Sequence, residues 1–261
     1  MLAAPHGEVQ RAFKRRLAAR ERLLGTFLKT PTPHATEILG EVGFDFLVVD
    51  AEHAPFDGRD LDTLMLAARA AGIASLVRVP SADPAEMGAV LDMGAAGVLV
   101  PHVDSAVALT EIVAACRYRG GRRGFSNSPR AGRYGGLGFI DHIAEADETI
   151  SVLAMIEDIT AIARLDEIFA VQGLSAAFIG RGDLSAALGA SHTGDPAVTT
   201  IVERIAAAAR IHGVPLIAHV GAASGEDVTA LSTLGVTGFL VASDQGLLRQ
   251  AATLARREFD A

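Results

Sequence analysis

Apolar runs of six to eight residues, rich in β-branched or large side chains, recur along the chain between segments of helical period. They are Leu23–Lys29, Phe44–Asp50, Ala74–Pro80, Gly97–His102, Ile150–Glu157, Ser175–Gly180, Val214–His219 and Gly238–Ser243. Each is continuous rather than alternating, as in parallel strands covered on both faces. Helical patterns over Asp60–Ala71, Ala85–Met93, Asp104–Arg117, Ala161–Phe169 and Pro196–His212 fall between them. Asp83-Pro84 and Asp195-Pro196 read as helix starts, with proline at the first helical position. Gly72, Gly94, Gly173, Gly213 and Gly235 read as helix ends, each just before the next strand.

Eight strands alternating with helices predict an α/β fold, a (β/α)8 TIM barrel, as a single domain over residues 1–261. An open doubly wound sheet is the runner-up, weakened by the lack of a Gly-rich dinucleotide turn after the first strand. Residues 1–22 read as an N-terminal helical extension. Within it 8–22 is amphipathic, with Val9, Phe13 and Leu17 four apart, suited to pack on the barrel or a neighbouring subunit. One connection is irregular, a long loop between strands four and five, Val103 to Thr149. Its middle carries arginines 117, 119, 122, 123, 130 and 133 and many glycines. A loop this long is usually functional, so it is expected to be a lid or to line the mouth, with a solvated insertion as the alternative.

Composition narrows the classes. Half of the 261 residues are hydrophobic, enough for a sizeable core, and the formal net charge of −8 argues against a nucleic-acid partner. No apolar run approaches the roughly 18 residues of a membrane span, and the N-terminus has no apolar core of a secretory signal. Cys116 is the only cysteine, which excludes an internal disulfide or a thiolate metal cluster and suits a reducing cytoplasm. Lys14 and Lys29 are the only lysines, so beyond residue 29 nothing can form a Schiff base with a carbonyl substrate.

In a barrel of this kind chemistry sits at the C-terminal strand ends. There the sequence places Asp50-Ala51-Glu52-His53, Arg78, His102, Glu157-Asp158, Gly180-Arg181-Gly182-Asp183, His219 and Ser243-Asp244. Glu157 and Asp183 end neighbouring strands, and two carboxylates without sulfur suit a hard divalent cation. Asp183 could equally cap the helix that follows. Arg78, late in an apolar strand, needs an anion, either a protein carboxylate or one on a substrate. The amides of Gly180–Asp183, opening a helix, offer a second anion cradle. His53 at the mouth is a candidate general base. His102 and His219 are lesser candidates.

The ordered fragments LVVDAEHAPFD, LVRVP, LDMGAAGVLVPHVD, RRGFSNSPRAGRY, MIED and FIGRGDLSAALG resemble the HpcH/HpaI aldolase family from about Phe13 to Ala242. The resemblance implies a metal-dependent, class II pyruvate aldolase on a (β/α)8 barrel. It implies that Glu157 and Asp183 bind Mg²⁺, Mn²⁺ or Co²⁺, that His53 is the general base, and that Arg78 stabilises oxyanion charge. It gives Asp92 the part of raising the basicity of His53, and Gly182 that of holding the pyruvyl unit through its backbone. It also implies a homo-oligomer, trimer or hexamer. Two positions depart from the best-known members: Met155 stands where a substrate-binding glutamine is usual, and Arg181 interrupts the GPADL motif. Asp92 lies eight or nine residues down its helix, roughly 12 Å from the mouth, so reaching His53 would need a bend or a subunit contact. Asp50 is the simpler partner.

The expected reaction is reversible cleavage of a 4-hydroxy-2-oxo acid to pyruvate and an aldehyde. One alternative is an acyl-CoA or citryl-type lyase, with the Tyr118–Tyr134 loop as its only candidate basic groove. Others are a phosphorylated substrate held by Gly221–Asp227 and a non-catalytic ligand-binding barrel.

Overall fold

The computed structural model describes residues 6–260, so residues 1–5 of the N-terminal extension lie outside the described residues. Helix α1 (His6–Ala18) is followed by β1 (Leu23–Leu28), α2 (Pro33–Glu41), β2 (Phe46–Asp50), α3 (Gly58–Ala71), β3 (Ala74–Arg78) and α4 (Pro84–Asp92). Then come β4 (Gly97–Val100), α5 (Ala106–Cys116), α6 (Phe139–Thr149), β5 (Ser151–Ile156), α7 (Leu165–Phe169), β6 (Ala176–Ile179) and α8 (Arg181–Leu188). The chain continues through α9 (Pro196–His212), β7 (Leu216–Val220), α10 (Glu226–Thr233), β8 (Val236–Ser243) and α11 (Asp244–Asp260). The strands pair in sequence order, all parallel, and β8 returns to β1, closing the TIM barrel that the eight apolar runs predict.

Two apolar layers explain the continuous strand patterns. Alternate strand residues point inward, where Phe27, Val48, Leu76, Leu99, Leu153, Met155 and Phe178 fill the barrel; the others pack outward against the helices. Both Asp-Pro starts hold, since Asp83 and Asp195 cap α4 and α9 by accepting from the amides of Ala85 and Ala197, whereas the helix expected over Ala161–Phe169 is split into a 3-10 turn and the short α7. Gly72 and Gly213 end α3 and α9 at φ 67° and 72°, a region closed to most side chains. Helix α1 plugs the N-terminal end of the barrel. Its Phe13 and Leu17 are buried with the inner layer, Phe13 meeting Phe46 at 5.3 Å between ring centroids. The eighth outer helix behaves differently, since α11 buries none of its residues and leaves Leu248, Leu254 and Phe259 exposed.

The long β4–β5 segment is not a lid. Helix α5 carries the chain from the mouth back to the N-terminal end, and residues 117–149 fold there. Arg123 pairs with Asp92 at the end of α4 (2.7 Å), and Arg130 donates to the Met93 carbonyl (2.6 Å) and pairs with Asp62 (2.8 Å). Arg122 pairs with Glu111 and Arg133 with Glu145. Helix α6 packs on α1 and leads directly into β5. The expectation of a mouth-lining loop fails because the insertion follows the helix rather than the strand. In a β/α unit that places it at the opposite end.

Candidate active site

The C-terminal mouth opens into a cavity of about 600 Å³ lined by Lys29, Arg78, Met155, Gly182, Asp183 and His219, among others. Asp50, the last residue of β2, is fully buried and holds this side of the mouth together. It accepts from both arms of Arg78 (Nε to Oδ1 2.9 Å, Nη2 to Oδ2 2.7 Å), from Lys29 Nζ (2.7 Å) and from the His53 backbone amide (3.1 Å). Burial alone would push its carboxyl up. The hydrogen bonds from Arg78 and Lys29 outweigh burial and hold it near 2, fully ionised. Glu52 lies 3.2 Å from Arg78 Nε and 3.6 Å from His53 Nε2. The carboxylate beside the imidazole is therefore Glu52, while Asp50 fixes the His53 main chain. The ring of His53 is 58% exposed, free to meet a substrate at the rim; it is not part of the cavity lining, and Arg78 and Glu52 connect the two.

Across the mouth, Glu157 follows β5 and Asp183 stands in the first turn of α8. Glu157 is 3% exposed, whereas Asp183 is exposed. Burial pushes the Glu157 carboxyl up to about 7. The His102 amide opposes this, and the nearby charges of Asp183 and Glu52 add to it. His102 takes φ 53°, a left-handed conformation uncommon for histidine, which turns its N–H onto Glu157 Oε1 (2.8 Å). Its ring sits 3.2 Å from Asp158. Burial lowers the His102 pKa, but Glu157 and Asp158 outweigh it and leave it raised. Gly180 keeps the pocket open, because a Cβ there would stand 2.4 Å from the Glu157 Cβ and 2.7 Å from its Oε2. Among the described residues no lysine or arginine pairs with Glu157 or Asp183, and no three His, Cys, Asp or Glu side chains form a ready-made metal cluster. Two carboxylates, one buried and short of positive charge, fit a divalent cation that keeps several positions for water or substrate.

Other expected residues fall differently. Met155 is buried on β5 with its side chain on the inner layer, and it lines the cavity. Gly182 opens α8 beside Asp183. Asp92 ends α4, far down from the mouth, and its partner within the chain is Arg123; it does not meet His53 there. Arg181 is 8% exposed and straps α8 to α10 through Asp227 (2.6 and 2.8 Å) and the His219 carbonyl (2.6 Å). The Gly221–Asp227 turn thus presents Glu226 and a committed Asp227 at the start of α10, an unfavourable setting for phosphate. His219 Nε2 faces the Ala242 carbonyl at 3.2 Å, and burial lowers its pKa. Lys29 has no site role legible in the sequence, which places Glu52 and Arg181 at the mouth without their partners. For Lys29 the available signal is its place at the end of β1.

A parallel barrel whose mouth gathers carboxylates without a lysine or arginine partner, histidines and an anchored arginine is the architecture of an enzyme acting on small anionic substrates. Residues 23–251 match the HpcH/HpaI aldolase/citrate lyase family, and the chain belongs to it; it is an aldolase, a carbon–carbon lyase. A 5-keto-4-deoxy-D-glucarate aldolase of Klebsiella pneumoniae is 37% identical over 246 residues, covering 92% of this chain and 93% of that protein. Among solved structures, an HpcH/HpaI aldolase from Desulfitobacterium hafniense superposes with a TM-score of 0.88 at 30% identity, covering 94% of this chain and 95% of that one. The citrate synthase SbnG superposes with a TM-score of 0.83 at 33% identity, covering 95% and 97%.

Proposed function

We propose that the protein is a divalent-metal-dependent aldolase that reversibly cleaves a 4-hydroxy-2-oxo acid to pyruvate and an aldehyde. The observation that carries the reading is the buried Glu157 beside Asp183, two carboxylates that no lysine or arginine neutralises among the described residues; their one basic neighbour there is the His102 ring, 3.6 Å from Glu157. These two residues would hold Mg²⁺, Mn²⁺ or Co²⁺. When bound, such a cation supplies Lewis-acid stabilisation of negative charge on the pyruvyl oxygens. His53 takes the proton of the C4 hydroxyl as the C3–C4 bond breaks, and Glu52 steadies the imidazolium so formed. Arg78, fixed by Asp50, faces the developing oxyanion. Gly182 offers its main chain to the pyruvyl unit. The substrates of the 5-keto-4-deoxy-D-glucarate aldolases belong to the oxo-acid class, which supports this choice.

The same proposal takes residues 1–261 as one catalytic unit that assembles into a homo-oligomer, a trimer or hexamer. The exposed apolar residues of α11 support assembly. The single buried Cys116 suits a reducing cytoplasm, and no helix among the described residues is long and apolar enough to cross a membrane.

Likeness to a citrate synthase keeps a citryl-type reaction in view as a second reading. The arginine-rich segment meant to serve its basic groove folds at the far end of the barrel, with Arg122, Arg123, Arg130 and Arg133 already paired. A metal-supplemented screen of 4-hydroxy-2-oxo acids, run beside citrate cleavage, separates the two. Pyruvate release that stops in EDTA and returns with Mg²⁺, Mn²⁺ or Co²⁺ is expected. Full activity in excess EDTA would sink the metal mechanism.

A further inference from the structure

The arginine on which the proposed chemistry leans is not electrically free. Arg78 is clamped by both oxygens of Asp50 and lies 3.2 Å from Glu52. A guanidinium between two carboxylates presents a net negative group to anything else that approaches, and an oxyanion would be repelled rather than held. Lys29 changes that balance. It leaves the end of β1, about a quarter exposed, with Nζ 2.7 Å from Asp50 Oδ2, and it lines the mouth cavity beside Arg78. With Lys29 the four-residue group Lys29, Arg78, Asp50 and Glu52 is neutral; without it the group carries one negative charge, at a mouth that already holds Glu157 and Asp183. The main chain of Lys29 is pinned as well. Its amide donates to Asp244 Oδ1 (2.9 Å), and its carbonyl accepts from Gln245 Nε2 (3.3 Å) at the start of α11. From this anchored backbone the side chain reaches Asp50, the acid its ammonium pairs with.

We propose that Lys29 is a positioning residue that takes up the charge of Asp50, so that Arg78 keeps a positive field for an anionic oxygen of the substrate. The proposal rests on the aldolase reading and adds to it a residue from β1, on the opposite flank of Arg78 from the two metal-site acids. It also gives the lysine an electrostatic task in place of covalent chemistry.

The test compares Lys29→Met and Lys29→Arg with wild type in three measurements: Mn²⁺ affinity by calorimetry, oxalate affinity of the Mn²⁺-loaded protein, and the kcat and KM of pyruvate release. Oxalate is a planar dianion resembling the enolate of pyruvate. Lys29→Met is expected to lose oxalate affinity and kcat by about 10–100-fold, less than the loss of a direct oxyanion donor because Lys29 acts through Asp50 and Arg78. Its Mn²⁺ affinity should not fall, and Lys29→Arg should recover most of the loss. A merely structural role would lower the melting temperature and weaken all three together, without rescue by arginine. Oxalate affinity and kcat within about twofold of wild type in Lys29→Met would overturn the proposal while leaving the aldolase reading intact. A pyruvate adduct trapped on Lys29 by borohydride would overturn it in favour of imine chemistry. Wild type that binds no oxalate and releases no pyruvate with any of the three metals would overturn both.

Discussion

The two ends of the barrel use charge in opposite ways. At the N-terminal end, α1 and the 117–149 insertion close the fold, and Arg122, Arg123, Arg130 and Arg133 each meet a carboxylate. The small cavity there, about 30 Å³ between α1, Arg123 and His142, has room for little more than a water or two. At the C-terminal end the ledger is left open. Among the described residues no lysine or arginine pairs with Glu157 or Asp183, burial pushes the Glu157 carboxyl up to about 7, and a cavity of about 600 Å³ lies beside them. Both ends are rich in charged residues, so charge alone does not mark the site. What marks it is charge that the protein itself leaves uncompensated, next to space.

Removing the proposed metal grip should have the largest effect. Asp183→Ala is expected to lower aldol cleavage on the order of 10³-fold or more, and to abolish metal-dependent oxaloacetate decarboxylation with it. His53→Ala should lose about 10²–10⁴-fold in aldol cleavage yet keep a much larger share of the decarboxylation, which needs no hydroxyl proton removed. Equal losses of both reactions in a well-folded His53→Ala protein would assign His53 to support of metal or substrate.

Arg78→Ala should cost about 10²–10³-fold in kcat, and Arg78→Lys less, because the ammonium is a point charge that cannot grip both oxygens of Asp50. Near-wild-type turnover of the alanine variant would make Arg78 a structural residue, like the arginines at the other end.

The pH dependence of stability sharpens the comparison further. Asp50 sits near 2 when folded against 3.8 for a free aspartate. A depressed carboxyl contributes stability that is present above about pH 4 and lost as pH falls through 2, here about 2 kcal/mol. Urea midpoints of wild type should carry that component between pH 4 and pH 2, and Asp50→Asn should lack it.

The smallest effect is expected at Asp92. Its partner Arg123 has a side chain only 1% exposed while Asp92 itself is 31% exposed, so Asp92→Asn should cost about 1–2 kcal/mol of stability. On the geometry of one chain, kcat should stay within a few-fold. A large fall in kcat with an unchanged melting temperature would instead place Asp92 at the His53 of a neighbouring subunit.

The sequence alone determined the barrel. Each strand is a short apolar run, and several helices show a local period with an Asp-Pro start, as in α4 and α9, or a Gly end, as in α3 and α9, so these elements are specified by neighbouring residues. Because parallel strands place their C-terminal ends on one face, the same reading collected Glu157, Asp183, His53 and Arg78 without knowledge of a single contact. Tertiary structure decided the rest. That Arg78 answers to Asp50, 28 residues away, and Arg181 to Asp227, 46 away, follows from strand register and barrel closure, which no local pattern encodes. The arginine-rich insertion reads as a lid because of its length. Its place at the closed end was fixed by the direction of α5, the one helix that must carry the chain away from the mouth before the insertion begins.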